Sequence, residues 1–226
     1  RGGWIDPADR SRENTRHAFS RALELGFEFL ETDVWATADD QLVAFHDPRL
    51  DRVSDTRGLI GERTWSELSS VRIGGADAIP RMADLLEEFP GARFNIDIKD
   101  ARAVGLLADV VARHGAENRV CVASFSTARL AEFRRRAPTV ATAMSPTGVA
   151  VLTQGFGLRR MWMDEGVAVQ IPVRFGLVPL ALIRPDVIRI AHASGRVVHV
   201  WTVNDEAAMR RLLDLGVDGL VSDDIT

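Results

Sequence analysis

The chain has 226 residues, 46% hydrophobic and 27% charged, with one cysteine and a formal net charge of −4. Such a length and balance suit a globular fold that needs no disulfide or structural metal, and they exclude disorder, coiled coil and a cysteine framework. The acidic balance argues against a nucleic-acid surface, and no apolar run reaches the length of a membrane-spanning helix. Short β-rich runs follow one another along the chain at 29–35, 42–46, 93–98, 119–123, 140–144, 167–171, 197–201 and 219–221. Helical spacings of three and four lie between them. Ala18, Phe19, Ala22, Leu23 and Leu25 share one face, as do Val104, Leu107, Ala108 and Val111. Leu130, Phe133 and Ala137 form a third, and Ala208, Met209, Leu212, Leu213 and Leu215 a fourth. Ser126 or Thr127, and Asn204-Asp205-Glu206, mark helix starts; Gly26 and Gly216 mark helix ends.

Repeated strand–helix units predict a mostly parallel sheet. A doubly wound sheet favours a Gly-rich phosphate turn after its first strand, and none is present. Polar residues instead gather at the ends of several strands, which favours a TIM (β/α)8 barrel forming a single domain over 1–226. Residues 48–80 are long for a strand-to-helix connection and are expected to form an insertion over the barrel mouth.

Strand alternation puts Glu31, Asp33 and Trp35 on one face, with Phe29 beginning that face deeper in the barrel. Neighbouring carboxylates raise each other's pKa, a conflict that a hard divalent cation removes; two solvated carboxylates are the alternative. Asn95, Asp97 and Lys99 form a second polar face. Asp97 could complete a three-carboxylate metal site, or pair with Lys99 and do nothing more. Lys99 is the one lysine in the chain. His46, at a strand end, reads as a general acid or base or as a structural histidine. His17, His114 and His192 fall in helical segments and read as structural; His199 shares a face with Trp201 and receives no role. Trp201 could wall a small substrate, or simply pack. Arg1 beside Gly2-Gly3 could grip a phosphate in a bidentate manner, the glycines leaving its approach open. Together these groups suit phosphoryl chemistry at a metal.

The assembled motifs resemble the glycerophosphodiester phosphodiesterases. Arg1-Gly2-Gly3, Arg12-Glu13-Asn14-Thr15, Glu31-Thr32-Asp33-Val34, His46-Asp47-Pro48-Arg49-Leu50-Asp51-Arg52, Ile79-Pro80-Arg81-Met82 and Asn95-Ile96-Asp97-Ile98-Lys99 follow the family's order. So do Trp201-Thr202-Val203-Asn204 and the run from Gly216 to Asp223. The resemblance implies a TIM barrel with a cap-like insertion and a divalent cation, Mg²⁺ or Ca²⁺, on Glu31, Asp33 and Asp97. It implies that Arg1 and Lys99 contact the phosphate, that His46 is one of two acid/base histidines, and that Trp201 borders the glycerol. The implied reaction cleaves a small glycerophosphodiester, such as glycerophosphocholine, to sn-glycerol 3-phosphate and an alcohol. Three departures accompany it. The family's second histidine falls before residue 1, so the barrel is expected to be trimmed at both ends. Asp97 stands where the family has glutamate, and Arg12 where it has proline. Two rivals remain: a lysophospholipase D-type activity, with Leu152, Phe156, Leu158, Met161 and Trp162 at a lipid-facing mouth, and a non-catalytic phosphodiester-binding module. The absence of an export signal in the given sequence gives a cytoplasmic expectation.

Overall fold

Thr15 adopts extended dihedrals and its hydroxyl accepts the Ala18 amide, which starts α1 (Arg16–Glu24). Gly26, at φ +90°, stops it. The computed structural model describes residues 1–154, 164–173 and 182–226. Two units result: Arg1–Val140 with Asp224–Thr226, and Ala141–Asp223. Among the described residues no helix is long and apolar enough to cross a membrane.

In the first unit, α1 leads into β1 (Phe29–Ala36), followed by β2 (Leu42–Ala44). The segment after β2 carries two short 3-10 turns, the single-turn α2 (Trp65–Leu68) and a hairpin of β3 (Arg72–Ile73) and β4 (Asp77–Ala78). Next come α3 (Met82–Glu88), β5 (Arg93–Ile98), α4 (Ala103–Arg113), β6 (Val120–Ala123) and α5 (Thr127–Arg136). Strands lie in the order β2-β1-β5-β6. β1, β5 and β6 run parallel, and β2 runs antiparallel to β1. Leu30, Val34, Phe94, Ile96, Ile98 and Val122 pack beneath Phe19, Leu107 and Phe133 from the helices. The rings of Phe19 and Phe94 meet edge to face at 6.1 Å. Residues 48–80 carry a separate core, in which Leu50, Ile60, Leu68, Ile73 and Ile79 are fully buried against Val43 and Phe45.

The second unit contains β7 (Ala141–Thr142), α6 (Pro146–Gln154), β8 (Ala168–Pro172), α7 (Pro185–Ala193), β9 (Val197–Trp201), α8 (Glu206–Asp214) and β10 (Gly219–Leu220). β8, β9 and β10 are parallel neighbours. Val169, Ile171, Val198 and Val200 pack with Val187, Ile188, Ala191 and Leu212. Asp205 caps α8 through the Ala208 amide, and Gly216 ends it.

Several predicted elements are altered. The run 42–46 stops being a strand at Ala44 and pairs antiparallel. Only a tight turn separates it from β1, whereas a parallel partner needs a crossover of a dozen or more residues. Helices α3, α6 and α7 are present where no helical face is predicted. Phe29 is 65% exposed rather than deep: it opens β1, and its ring is covered by the Arg93 guanidinium at 5.2 Å. Leu25 and Leu215 are exposed because each is the C-cap residue, where the chain leaves its helix. His114 caps α4 and bonds the Val110 carbonyl, and His192 pairs with Asp218 at 2.7 Å, both structural as expected.

Phe19 is fully buried, so Phe19→Ala is expected to cost about 3–5 kcal/mol of stability. Leu25→Ala, at a half-exposed site, is expected to change it by less than about 0.5 kcal/mol. Urea unfolding of the two variants checks this contrast.

Candidate active site

The β1–β5 ladder sets Glu31 opposite Asn95 and Asp33 opposite Asp97. Alternation turns these side chains to one face, and the Lys99 amide continues the ladder by donating to the Val34 carbonyl at 3.1 Å. Lys99 Nζ lies 2.8 Å from Asp33 Oδ1 and 2.6 Å from Asp97 Oδ2, and 5.5 Å from the centre of the exposed Phe125 ring. Arg1 approaches from the chain start. Its guanidinium reaches Glu13 at 3.2 Å and Asp33 at 3.9 Å. The structure thus brings together Arg1, Glu31, Asp33, Asp97 and Lys99. Gly2 is needed for packing. It sits at φ +80°, and a Cβ there would lie 2.7 Å from Ala18 Cβ.

Asn14 is a site residue to which sequence reasoning gave no role. It is buried at φ +57°, a left-handed conformation that asparagine tolerates better than most side chains. Its amide nitrogen donates to Asp33 Oδ2 at 3.3 Å, its carbonyl oxygen accepts from Thr32 Oγ1 at 2.8 Å, and its backbone N–H donates to the Arg1 carbonyl. Its place in the Glu13-Asn14-Thr15 motif was the available signal.

The electrostatics are those of an anionic cluster short of solvent. Burial drives the Asp97 carboxyl up to about 6; Lys99 opposes this, while Asp33 and Glu31 add to it. Burial also raises Asp33, with Glu31 adding and Lys99 and His46 opposing. Burial pushes Glu31 upward too, and the Arg1 guanidinium and Lys99 act to lower it. Lys99 loses by burial and gains more from Asp33 and Asp97, so its ammonium is raised. Among the described residues, Asp97 Oδ1 is the buried side-chain oxygen left without a hydrogen-bond partner. An unsatisfied carboxylate oxygen beside two more carboxylates fits a hard divalent cation, which takes oxygen ligands. Among the described residues no group of three or more acidic, histidine or cysteine side chains is arranged to hold a metal ion; Lys99 and the Arg1 guanidinium sit on the carboxylates instead.

His46 follows β2. The Phe45 amide donates to the Asp33 carbonyl at 2.9 Å, and Trp35 Nε1 donates to the His46 carbonyl at 3.1 Å, so the histidine backbone is tied to β1. Its Nδ1 is 2.5 Å from Asp47 Oδ1. A proton shared there leaves Nε2 as the basic nitrogen. Asp47 Oδ2 accepts from Arg52 Nε at 2.5 Å, and the other Arg52 nitrogens reach Glu13 at 2.5 and 3.1 Å.

Trp201 belongs to the second unit, half-buried at the end of β9 opposite Pro172. Its carbonyl accepts the Val173 amide at 2.7 Å. His199 lies against Gly219, where a Cβ would come within 2.7 Å of its ring. Leu152 is buried in the core of the second unit, on α6. Phe156, Leu158, Met161 and Trp162 lie outside the described residues.

Parallel βα units here carry carboxylates, cations and a histidine at strand ends, groups suited to phosphoryl chemistry. Residues 6–226 match the glycerophosphoryl diester phosphodiesterase family profile. A probable glycerophosphodiester phosphodiesterase 2 of Mycobacterium tuberculosis is 38% identical over 220 residues, spanning 93% of this chain and 81% of that protein. The crystal structure of a glycerophosphodiester phosphodiesterase from Agrobacterium tumefaciens has a TM-score of 0.80 at 24% identity, over 96% of this chain and 93% of that one. An Oleispira antarctica phosphodiesterase, solved in complex with the product sn-glycerol-3-phosphate, scores 0.81 at 21% identity, over 98% and 91%. The chain belongs to the glycerophosphoryl diester phosphodiesterase family and has that family's TIM (β/α)8 fold. The family is generally dependent on a divalent cation.

Asp97 binds its proton more tightly when folded than when unfolded. In chelator-treated protein the stability therefore falls as pH rises from about 4 to about 6, by roughly 2–3 kcal/mol from this group. Asp97→Asn is expected to flatten that fall in urea midpoints taken across pH 4–8.

Proposed function

We propose that this chain hydrolyses small glycerophosphodiesters, such as glycerophosphocholine, to sn-glycerol 3-phosphate and an alcohol. The observation that carries the reading is the cluster of buried Asp33 and Asp97 with partly buried Glu31, and Lys99 and the Arg1 guanidinium upon it, in a member of this family. Glu31, Asp33 and Asp97 would hold Mg²⁺ or Ca²⁺. Bound there, the cation supplies Lewis-acid stabilisation of charge on the phosphoryl oxygens. Aspartate at 97 is one methylene shorter than glutamate, so a bound cation would sit closer to β5 or be reached through water.

Lys99 and Arg1 neutralise the carboxylates in the ligand-free chain, and the same nitrogens are the donors available to a phosphodiester's non-bridging oxygens. Asn14 fixes Asp33 and the Arg1 backbone, so that ligand and donor keep their spacing. His46 Nε2 accepts a proton from the nucleophile or returns one to the leaving alkoxide, while Asp47 holds Nδ1.

Release of glycerol 3-phosphate from glycerophosphocholine is expected to be abolished by chelator and restored by Mg²⁺ or Ca²⁺. Parallel assays on long-chain lysophospholipids separate the small-substrate reading from a lysophospholipase D activity. Binding without turnover of either substrate would favour the non-catalytic module. Glu31→Ala is expected to lose both cation binding, read by calorimetry, and activity. Activity lost with cation binding unchanged would remove Glu31 from the ligand set. His46→Ala is expected to lower kcat by about 10²–10⁴-fold.

A further inference from the structure

Arg52 has no part in the reaction as derived so far, yet it joins the two halves of the site. It closes the 3-10 turn Leu50–Arg52, whose fully buried Leu50 anchors the segment. Its own side chain is almost half exposed, so the local fold does not need the guanidinium as core. The nitrogens are all engaged. Nε donates to Asp47 Oδ2 at 2.5 Å, and the two terminal nitrogens donate to Glu13 Oε1 at 2.5 Å and Oε2 at 3.1 Å. Each carboxylate turns its remaining capacity to a site residue. Asp47 Oδ1 faces His46 Nδ1 at 2.5 Å, and Glu13 Oε2 accepts from the Arg1 guanidinium at 3.2 Å. A continuous chain runs His46–Asp47–Arg52–Glu13–Arg1.

We propose that Arg52 is a positioning residue that sets the proton-transfer histidine and the phosphate-binding arginine relative to each other, through Asp47 and Glu13. The inference rests on the roles given above to His46 and Arg1. Only a planar fork can grip two carboxylates at fixed angles; an ammonium is a point charge and cannot. Burial acts to raise both carboxyls, and the hydrogen bonds from Arg52 are the first influence that holds each below its usual range. Asp47 therefore keeps the charge that orients the imidazole, and Glu13 the charge that aims Arg1. The 48–80 segment, through Arg52, thereby contributes to the chemistry without touching substrate.

Steady-state release of glycerol 3-phosphate, with saturating cation and a melting curve for every variant, tests this. Asp47→Asn is expected to lower kcat and leave KM, and Glu13→Gln to raise KM and leave kcat. Arg52→Ala is expected to do both, by about ten-fold in kcat and about three-fold or more in KM. The double variant Arg52→Ala/Asp47→Asn is expected to have no lower kcat than Asp47→Asn alone, since both break one linkage. Should Arg52→Ala fold poorly, Arg52→Lys, which keeps charge without the fork, is expected to show the same double loss in weaker form. Arg52 variants with kcat and KM within about two-fold of the parent and only a lower Tm overturn the proposal. So do effects of Arg52→Ala and Asp47→Asn that multiply. His46→Ala tells the failures apart. An inactive His46→Ala beside an unaffected Arg52→Ala overturns the clamp alone, whereas a fully active His46→Ala overturns the reading beneath it.

Discussion

Lys99 holds the site together. Its ammonium lies within 2.8 Å of Asp33 and 2.6 Å of Asp97, in a place where these two carboxylates are buried and Glu31 is partly so. Like charges buried so close cannot all ionise without a counter-charge, and burying an unpaired charge is far costlier than burying a paired one. The parallel β1–β5 register forces this crowding, because it places Asp33 directly beside Asp97. The groups near the cluster are arranged around that conflict: the Arg1 guanidinium and Asn14 against Asp33, and an oxygen of Asp97 without a hydrogen-bond partner. The strain is local and is offset by the apolar layer beneath, where Val34, Ile96 and Ile98 are fully buried.

Much of this was legible in the sequence because the governing rule is local. Alternation along a strand decides faces, so Glu31, Asp33, Asp97 and Lys99 could be put on polar faces from spacing alone. The helix starts at Ser126 and Asp205 and the stops at Gly26 and Gly216 were legible for the same reason: caps are written within four residues of the feature they terminate.

What was not legible depends on distance. No periodicity links Glu13 to Arg52, 39 residues on, yet their side chains meet. Nothing in a lone Asn14 announces a left-handed backbone with both ends of its amide engaged. The antiparallel turn of β2 follows from a connection too short for a crossover, a fact about closure rather than about the residues in the run. Phe29 was misplaced because alternation fixes a face and says nothing about depth along the strand.

The clustering of cationic nitrogen also bears on how the protein is handled. Lys99 is the one lysine among 226 residues, and it lies at the heart of the site. Reagents that couple to amines therefore have one side-chain target among these residues, beside any α-amino group. Attachment of a dye, bead or cross-linker at that side chain is an active-site modification, and its yield there reports how firmly the surrounding carboxylates keep that amine protonated.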